Sequence, residues 1–189
     1  AQDIPLYRDQ LHYDWHWDWN TGAGEMGNWG VHVLDDVRNC VLLDQAALPR
    51  RIGGGGGRLV FQDAGQTPNI HFVVFDTGVV PVVMGLSNLP ASPGSRQASP
   101  HTGPASGYIA YCEGGRIEAV TAPFRPVQAV AFDRNGKQIR QFSGPGGNIL
   151  HQQNFIDAVR NRNPSILNAP IRTASDTTGW CHLANGEGG

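Results

Sequence analysis

The stretch His12-Tyr13-Asp14-Trp15-His16-Trp17-Asp18-Trp19, then the turn Asn20-Thr21-Gly22-Ala23-Gly24, then Asn28-Trp29-Gly30-Val31-His32, decides how the chain is read. Four of the five tryptophans and three of the seven histidines fall here. The first part alternates. In a strand, His12, Asp14, His16 and Asp18 share one face, and Tyr13, Trp15, Trp17 and Trp19 share the other. The spacing therefore predicts a strand over 11–19 with one aromatic, core-seeking face and one titratable face. After the turn the period changes. Val31, Leu34, Val37, Val41 and Leu42 recur at three and four residues, which predicts a helix over 27–43. Asn28 and His32 are four apart and share a face of its first turns. A polar strand face running into a helix start that carries a histidine forms a wall that an active site can use.

Composition narrows the function classes. The chain has 189 residues, 16% of them charged, and a net charge of −2. That length can bury a core as a single domain over 1–189. No basic patch argues for nucleic acid. No run approaches the roughly 20 apolar residues of a membrane span. Residues 1–10 are polar and do not read as a signal peptide. Cys40, Cys112 and Cys181 are odd in number and widely spaced, which fits neither a disulfide framework nor a zinc pattern and points to buried free thiols.

Working outward, Ile70-His71-Phe72-Val73-Val74-Phe75-Asp76 is the strongest β signal, being rich in branched and aromatic residues. Val79–Leu86 reads as its hairpin partner across Thr77-Gly78. Further strands are expected over 58–62, 107–112, 116–120, 129–132 and 137–142. Arg50–Gly57 reads as a glycine-rich connector, and 87–106 as a Ser/Pro/Gly-rich loop. Helices are expected over 149–162 and 172–185. Helix, antiparallel strands, then helices is an α+β pattern: one large, mainly antiparallel open sheet with helices on one face.

Two motifs compete for the chemistry. Gly22-Ala23-Gly24-Glu25-Met26-Gly27 matches the dinucleotide-binding glycine pattern, but no buried apolar strand precedes it and no parallel crossover follows. It reads as a turn and a helix start, so no cofactor site is expected in this chain. His16, Asp18 and His32 have the chemistry of a metal set. Strand geometry, however, spreads His12 to Asp18 over about 20 Å at roughly 3.3 Å per residue, too far for one ion. A metal-free polar pocket is the simpler reading, since histidine moves protons directly near neutral pH.

Trp15-His16-Trp17, Gly27-Asn28-Trp29-Gly30-Val31-His32, Asn154-Phe155-Ile156-Asp157-Ala158-Val159-Arg160 with Pro164, and Cys181-His182-Leu183-Ala184-Asn185 together resemble a known pattern. It is that of the second, C-terminal domain of Gfo/Idh/MocA-type oxidoreductases, in a bacterial branch with a Trp-His-Trp strand. The resemblance implies a Rossmann domain binding NAD or NADP, which this sequence does not contain, and an α+β domain for substrate and assembly. It implies a sugar or polyol substrate, His32 as the catalytic acid/base or hydroxyl ligand, and Asn28, His16, Trp15 and Trp17 as substrate contacts. Where relatives carry an Asp four residues before the His, this chain has Asn28. An amide cannot take up a proton as a carboxylate does, so Asn28 is expected to orient a hydroxyl. The family's Glu-Lys-Pro lysine is absent, and Ser175 stands where relatives often have His.

The expected function is the substrate-binding and oligomerising half of a sugar or polyol oxidoreductase, with the dinucleotide supplied elsewhere or by a separate chain. The rivals are a cofactor-free carbohydrate-binding or scaffold module and a cofactor-independent lyase or hydratase using His32 and His16. Relatives of the branch are often exported, so periplasm and cytoplasm both stay open. Both faces of the 70–76 strand are largely apolar, and helices over 27–43 and 149–162 can cover only one. A homo-oligomer packed sheet to sheet is expected.

Overall fold

The computed structural model describes residues 15–92, 95, 104–121, 128–144 and 147–186. The expected contributions of His12, Tyr13 and Asp14, and most of the 87–106 loop, lie outside them. Among the described residues the class is α+β, and the strands are antiparallel and open-edged. Strands β1 (Arg51–Gly57), β2 (Ile70–Asp76) and β3 (Pro81–Ser87) pair in that order. Strands β4 (Gly107–Cys112), β5 (Gly115–Val120), β6 (Gln128–Asp133) and β7 (Gln138–Ser143) pair in a second ladder. The strands expected in one sheet thus divide into a three-stranded and a four-stranded set.

The core lies on one face of the β1–β3 sheet. Helix α1 (Val31–Cys40) and helix α3 (Ile171–Gly186) pack there. Leu34, Val37, Val73, Phe75, Met84, Trp180 and Ala184 form one buried cluster. Trp180 stacks on Phe75 at 5.0 Å and donates its indole N–H to the Ala47 carbonyl at 2.9 Å. On the opposite face Phe72, Val74 and Val83 are exposed, so the sheet does carry a bare apolar side. Helix α2 (Asn148–Arg160), expected to help cover the sheet, makes its main contact elsewhere among the described residues. It packs on the 3-10 turn Pro164–Ile166, where the Asn154 amide donates to the Ile166 carbonyl, and its own Ile149, Leu150, Phe155 and Val159 are exposed.

Two stretches, 50–61 and 11–19, depart from expectation for identifiable reasons. The supposed connector is strand β1. Its glycines contribute no side chain to a periodic pattern, yet they pair in register, Gly54 with Val73 and Gly56 with His71. A Cβ on Gly54 would fall 2.3 Å from the Phe72 carbonyl oxygen, and one on Gly56 would fall 2.5 Å from the His71 ring. Glycine is what lets the strands approach so closely. Arg58–Phe61, expected as a strand, leaves the ladder instead. The Asn69 side chain clamps both backbone groups of Leu59, at 2.7 and 3.1 Å, and Val60 takes a φ of 74°.

The second failure is the 11–19 strand. Trp15–Trp17 is a 3-10 turn, and His16, Trp17 and Asp18 are buried consecutively while Trp15 and Trp19 are exposed, so the described residues 15–19 show no two-residue alternation. Turn-forming polar groups override the β preference of the aromatics. The Asp18 carboxylate accepts from the Asn20 backbone and side chain, both at 2.8 Å, and Thr21 Oγ1 donates to the Trp15 carbonyl at 2.6 Å. The Trp17 carbonyl accepts from Gln66 N at 2.9 Å and Thr67 N at 3.0 Å.

His71 carries a consequence for stability. It points into the core, 2% exposed, and neither ring nitrogen has a hydrogen-bond partner among the described residues. Burial holds its pKa below the ordinary histidine value. The folded protein therefore resists the proton that the unfolded chain accepts near pH 6.5. Its contribution is fully present above that pH and is lost as pH falls below it, with a slope of at most about 1.4 kcal/mol per pH unit. Urea midpoints should drop between pH 7.5 and 5, and His71→Leu should flatten that drop. An unchanged slope in the variant would clear His71 of the effect.

Candidate functional site

A π-helical turn, Met26–Gly30, runs directly into α1. It buries Met26 and Gly30 and leaves Asn28 and Trp29 outside. Gly30 packs closely against two flexible methionine side chains at this junction. A Cβ there would come within 2.8 Å of Met26 Sδ and 3.3 Å of Met84 Cε. The outer surface of the helix start therefore carries Asn28, Trp29 and His32, with the Trp29 and His32 rings edge to face at 5.7 Å.

Glu25 is the residue that sequence reading missed. His16 Nε2 lies 3.5 Å from Glu25 Oε2, and Asn28 Nδ2 reaches the same oxygen at 3.5 Å. Both contacts sit at the long limit of hydrogen bonding. They nonetheless place a half-buried carboxylate between a buried imidazole and an exposed amide. The available signal was Glu25's position three residues before Asn28 on a helical turn.

His32 lies further along and has a different neighbourhood. Asp36, one helical turn on, accepts from Thr121 Oγ1 at 2.6 Å. Burial is the main influence on the Asp36 carboxyl and raises its pKa, against the lowering effects of the Thr121 hydrogen bond and of His32. The Tyr108 hydroxyl, on β4, is also pushed up, first by burial and then by Cys40 and Asp36. A polar path thus runs along α1 from His32 through Asp36 towards β4, and Asp36 too went unread in the sequence.

The tryptophans divide. Trp15 is 50% exposed and presents its ring to solvent. Trp17 is 5% exposed and is capped by the Arg58 guanidinium 4.7 Å from its ring, with Arg58 itself paired to Asp63 through two bonds of 2.6 and 2.7 Å. This placement gives Trp17 a packing environment with little surface open to a ligand.

The three glycines of the dinucleotide-like pattern are filled by the protein itself. A Cβ on Gly22 would lie 2.4 Å from His16 Cα, one on Gly24 2.8 Å from the Thr67 side chain, and one on Gly27 2.8 Å from Ala23 Cβ. They serve close packing of chain on chain and do not fit a pyrophosphate, which needs open backbone N–H groups at the start of a helix. Among the described residues no three His, Cys, Asp or Glu side chains gather as a metal would require, and no helix is long and apolar enough to cross a membrane. Of the three thiols expected to be buried only Cys181 is, and burial pushes it up to about 12; Cys40 and Cys112 close the ends of α1 and β4, where they are exposed.

No protein-family model matches the chain, and no curated protein matches it. Solved structures match it in fold. It is similar to a proposed oxidoreductase from Klebsiella pneumoniae, with a TM-score of 0.58 and 13% identity over 85% of this chain and 46% of that one. It is similar to YvaA, a proposed oxidoreductase from Bacillus subtilis, with a TM-score of 0.61 and 11% identity over 96% of this chain and 53% of that one. A proposed oxidoreductase from Yersinia pestis gives 0.54 and 15%, over 98% of this chain and 50% of that one. The chain spans about half the length of each of these structures. At such identities the likeness is one of fold, and the fold is that of a domain found in proposed oxidoreductases.

Gly22 tests the packing behind the site. The atoms its Cβ would meet are His16 backbone atoms, which cannot rotate away. Gly22→Ala should cost about 1–3 kcal/mol in denaturant unfolding, the usual range for overpacking. Gly53→Ala, with nothing within 4 Å of the new methyl, is the control and should be close to neutral. Equal effects at the two positions would contradict the packing role.

Proposed function

We propose that this chain is the substrate-binding and oligomerising domain of an NAD(P)-dependent oxidoreductase of Gfo/Idh/MocA type that acts on a sugar or polyol. The observation that carries the reading is the exposed Asn28-Trp29-His32 surface at the start of α1, set on a fold shared with about half of each matched oxidoreductase. An exposed imidazole beside an amide and an indole can hold a hydroxylated ring. His32 takes or returns a proton at a hydroxyl oxygen, Asn28 orients a neighbouring hydroxyl, and the Trp29 and Trp15 rings pack against C–H faces. Glu25 restrains Asn28 and His16 from behind.

A nicotinamide dinucleotide would carry the hydride, and the residues of this chain do not fit one. We assign that group to a Rossmann domain outside the chain, whether on the same polypeptide or on a separate one. A second reading, a carbohydrate-binding module without redox chemistry, draws support from three half-exposed tryptophans, Trp15, Trp19 and Trp29. Fluorescence titration with NADH and NADPH bears on the division of roles. Micromolar binding to the chain alone would overturn the assignment of the dinucleotide elsewhere.

His32→Ala is expected to weaken binding of neutral sugars or polyols at this surface by about tenfold or more, equivalent to about 1.4 kcal/mol. Its circular-dichroism spectrum should match that of the parent. Unchanged binding, or loss of the folded signal, would point to a packing role for the residue.

Assembly is the other half of the reading. Phe72, Val74 and Val83 form a bare apolar sheet face, flanked on β1 and β3 by Gly53, Gly55 and Gly85, which add no side-chain relief. Such a face is rarely left in water, and a two-fold dimer packed sheet to sheet covers it. Light scattering should give at least twice the 20.4 kDa of one chain, and Phe72→Glu should shift the protein towards monomer. A monodisperse wild-type monomer at micromolar concentration would refute the dimer.

A further inference from the structure

A second concave surface lies away from the outer face of α1, between the 19–23 turn and the last turns of α3. It is broadly open to solvent, has a volume of about 410 Å³ and is lined by Trp19, Gly22, Ala23, His182, Asn185 and Gly186. That volume falls at the lower end of the roughly 300–1,000 Å³ typical of small-molecule sites.

Its walls are built, not incidental. The Asn185 side chain is 93% buried, being 7% exposed, and ties α3 to the turn by donating from Nδ2 to the Ala23 carbonyl at 2.9 Å. That bond fixes which end of the amide is which. It leaves Oδ1 as a buried acceptor with no hydrogen-bond partner among the described residues. That oxygen is shut off even from water, so Asn185 shapes the wall by tying α3 to the turn and Oδ1 itself is not a group that a ligand reaches. His182 stands three residues before Asn185 on α3, hence on the same helical face. Trp19 forms the opposite wall, 43% exposed, with its backbone N–H held by Gln66 Oε1 at 3.2 Å.

The lining holds no carboxylate, lysine or arginine, so nothing in it selects a charged group. An indole offers a broad apolar surface, and the exposed His182 imidazole supplies directed hydrogen bonds. That combination suits a saturated ring that is apolar on its faces and hydroxylated around its rim. The Gly22-Ala23 turn is shared with the site above, since Gly22 packs on the backbone of His16.

We propose that the Trp19–His182–Asn185 pocket binds a neutral sugar ring, separately from the Asn28–His32 surface. The inference rests on the sugar or polyol reading of the chain and extends it to a second place on the domain.

The test is a two-dimensional NMR titration of the 189-residue chain with glucose, galactose, mannose, N-acetylglucosamine, myo-inositol and the disaccharides cellobiose and maltose. Perturbation of the Trp19 indole N–H and the Asn185 side-chain amide by at least one of these is expected. Trp19→Ala should weaken that binding about tenfold, and His182→Ala, at an exposed position, should weaken it comparably without disturbing the fold. The Trp19 perturbation should persist in His32→Ala. Perturbations confined to Trp29 and His32 would overturn this pocket while leaving the proposed function standing. No perturbation by any of the sugars would overturn both, and Trp19→Ala and His182→Ala binding as tightly as the parent would overturn the pocket alone.

Discussion

A guanidinium shut away from water is costly to fold around, and this domain folds around one. Arg38 is 1% exposed. Its Nη1 donates to the Thr173 carbonyl at 2.8 Å and to Thr177 Oγ1 at 2.5 Å, its Nε reaches the Ala46 carbonyl at 3.4 Å, and Nη2 lies 3.3 Å from Asp44 and 3.6 Å from Asp176. These partners come from the loop after α1 and from α3, so one side chain fixes both against the helix that carries it. Thr177 completes the arrangement by donating to Asp35 at 2.8 Å. A buried charge held by hydrogen bonds and ion pairs from two directions stabilises one arrangement mainly by making others worse. Because α1 carries Asn28 and His32 at its start and α3 carries His182 and Asn185 near its end, both candidate surfaces depend on this alignment.

How much of this was legible depends on where the determining groups lie. Strand β2 stood out because its signal is in its own side chains: Val73 and Phe75 are fully buried and their neighbours are branched or aromatic. The helices at 31–40 and 171–186 were close to the expected spans for the same reason. Strand β1 was invisible, because a run of glycines has no side-chain period, and its pairing is settled by the backbone of a strand some twenty residues away. The Trp15–Trp17 turn was misread because its determinants are not local. Gln66 and Thr67, about fifty residues on, hold the Trp17 carbonyl, and no pattern within 11–19 announces them.

The site shows the same division. Asn28 and His32 were found by helical spacing, and the structure leaves both exposed at the helix start. Glu25 was hidden inside a glycine pattern that drew attention to phosphate. Asp36 finds its hydrogen-bond donor in Thr121, 85 residues later. Trp17 had the right chemistry for a ligand contact, but its setting is decided by Arg58, whose conformation is set in turn by Asp63. Sequence reading identified residue types suited to sugar chemistry; tertiary contacts decided which of them face solvent.

The glycine strand has one more consequence. In the β1-β2-β3 order, β1 is an edge, and from Gly53 to Gly57 it offers backbone N–H and C=O groups with no side chain standing guard. Proteins usually protect such an edge with charge, proline, a bulge or a covering segment, because an open edge is a template on which another strand can add. The residue that fits closest to its neighbour is also the one least able to repel a stranger. The composition that lets β1 settle over His71 and Val73 makes the outer border of the sheet its most adhesive line, and any bulkier residue that could guard the edge at Gly54 or Gly56 would lift the strand off the core.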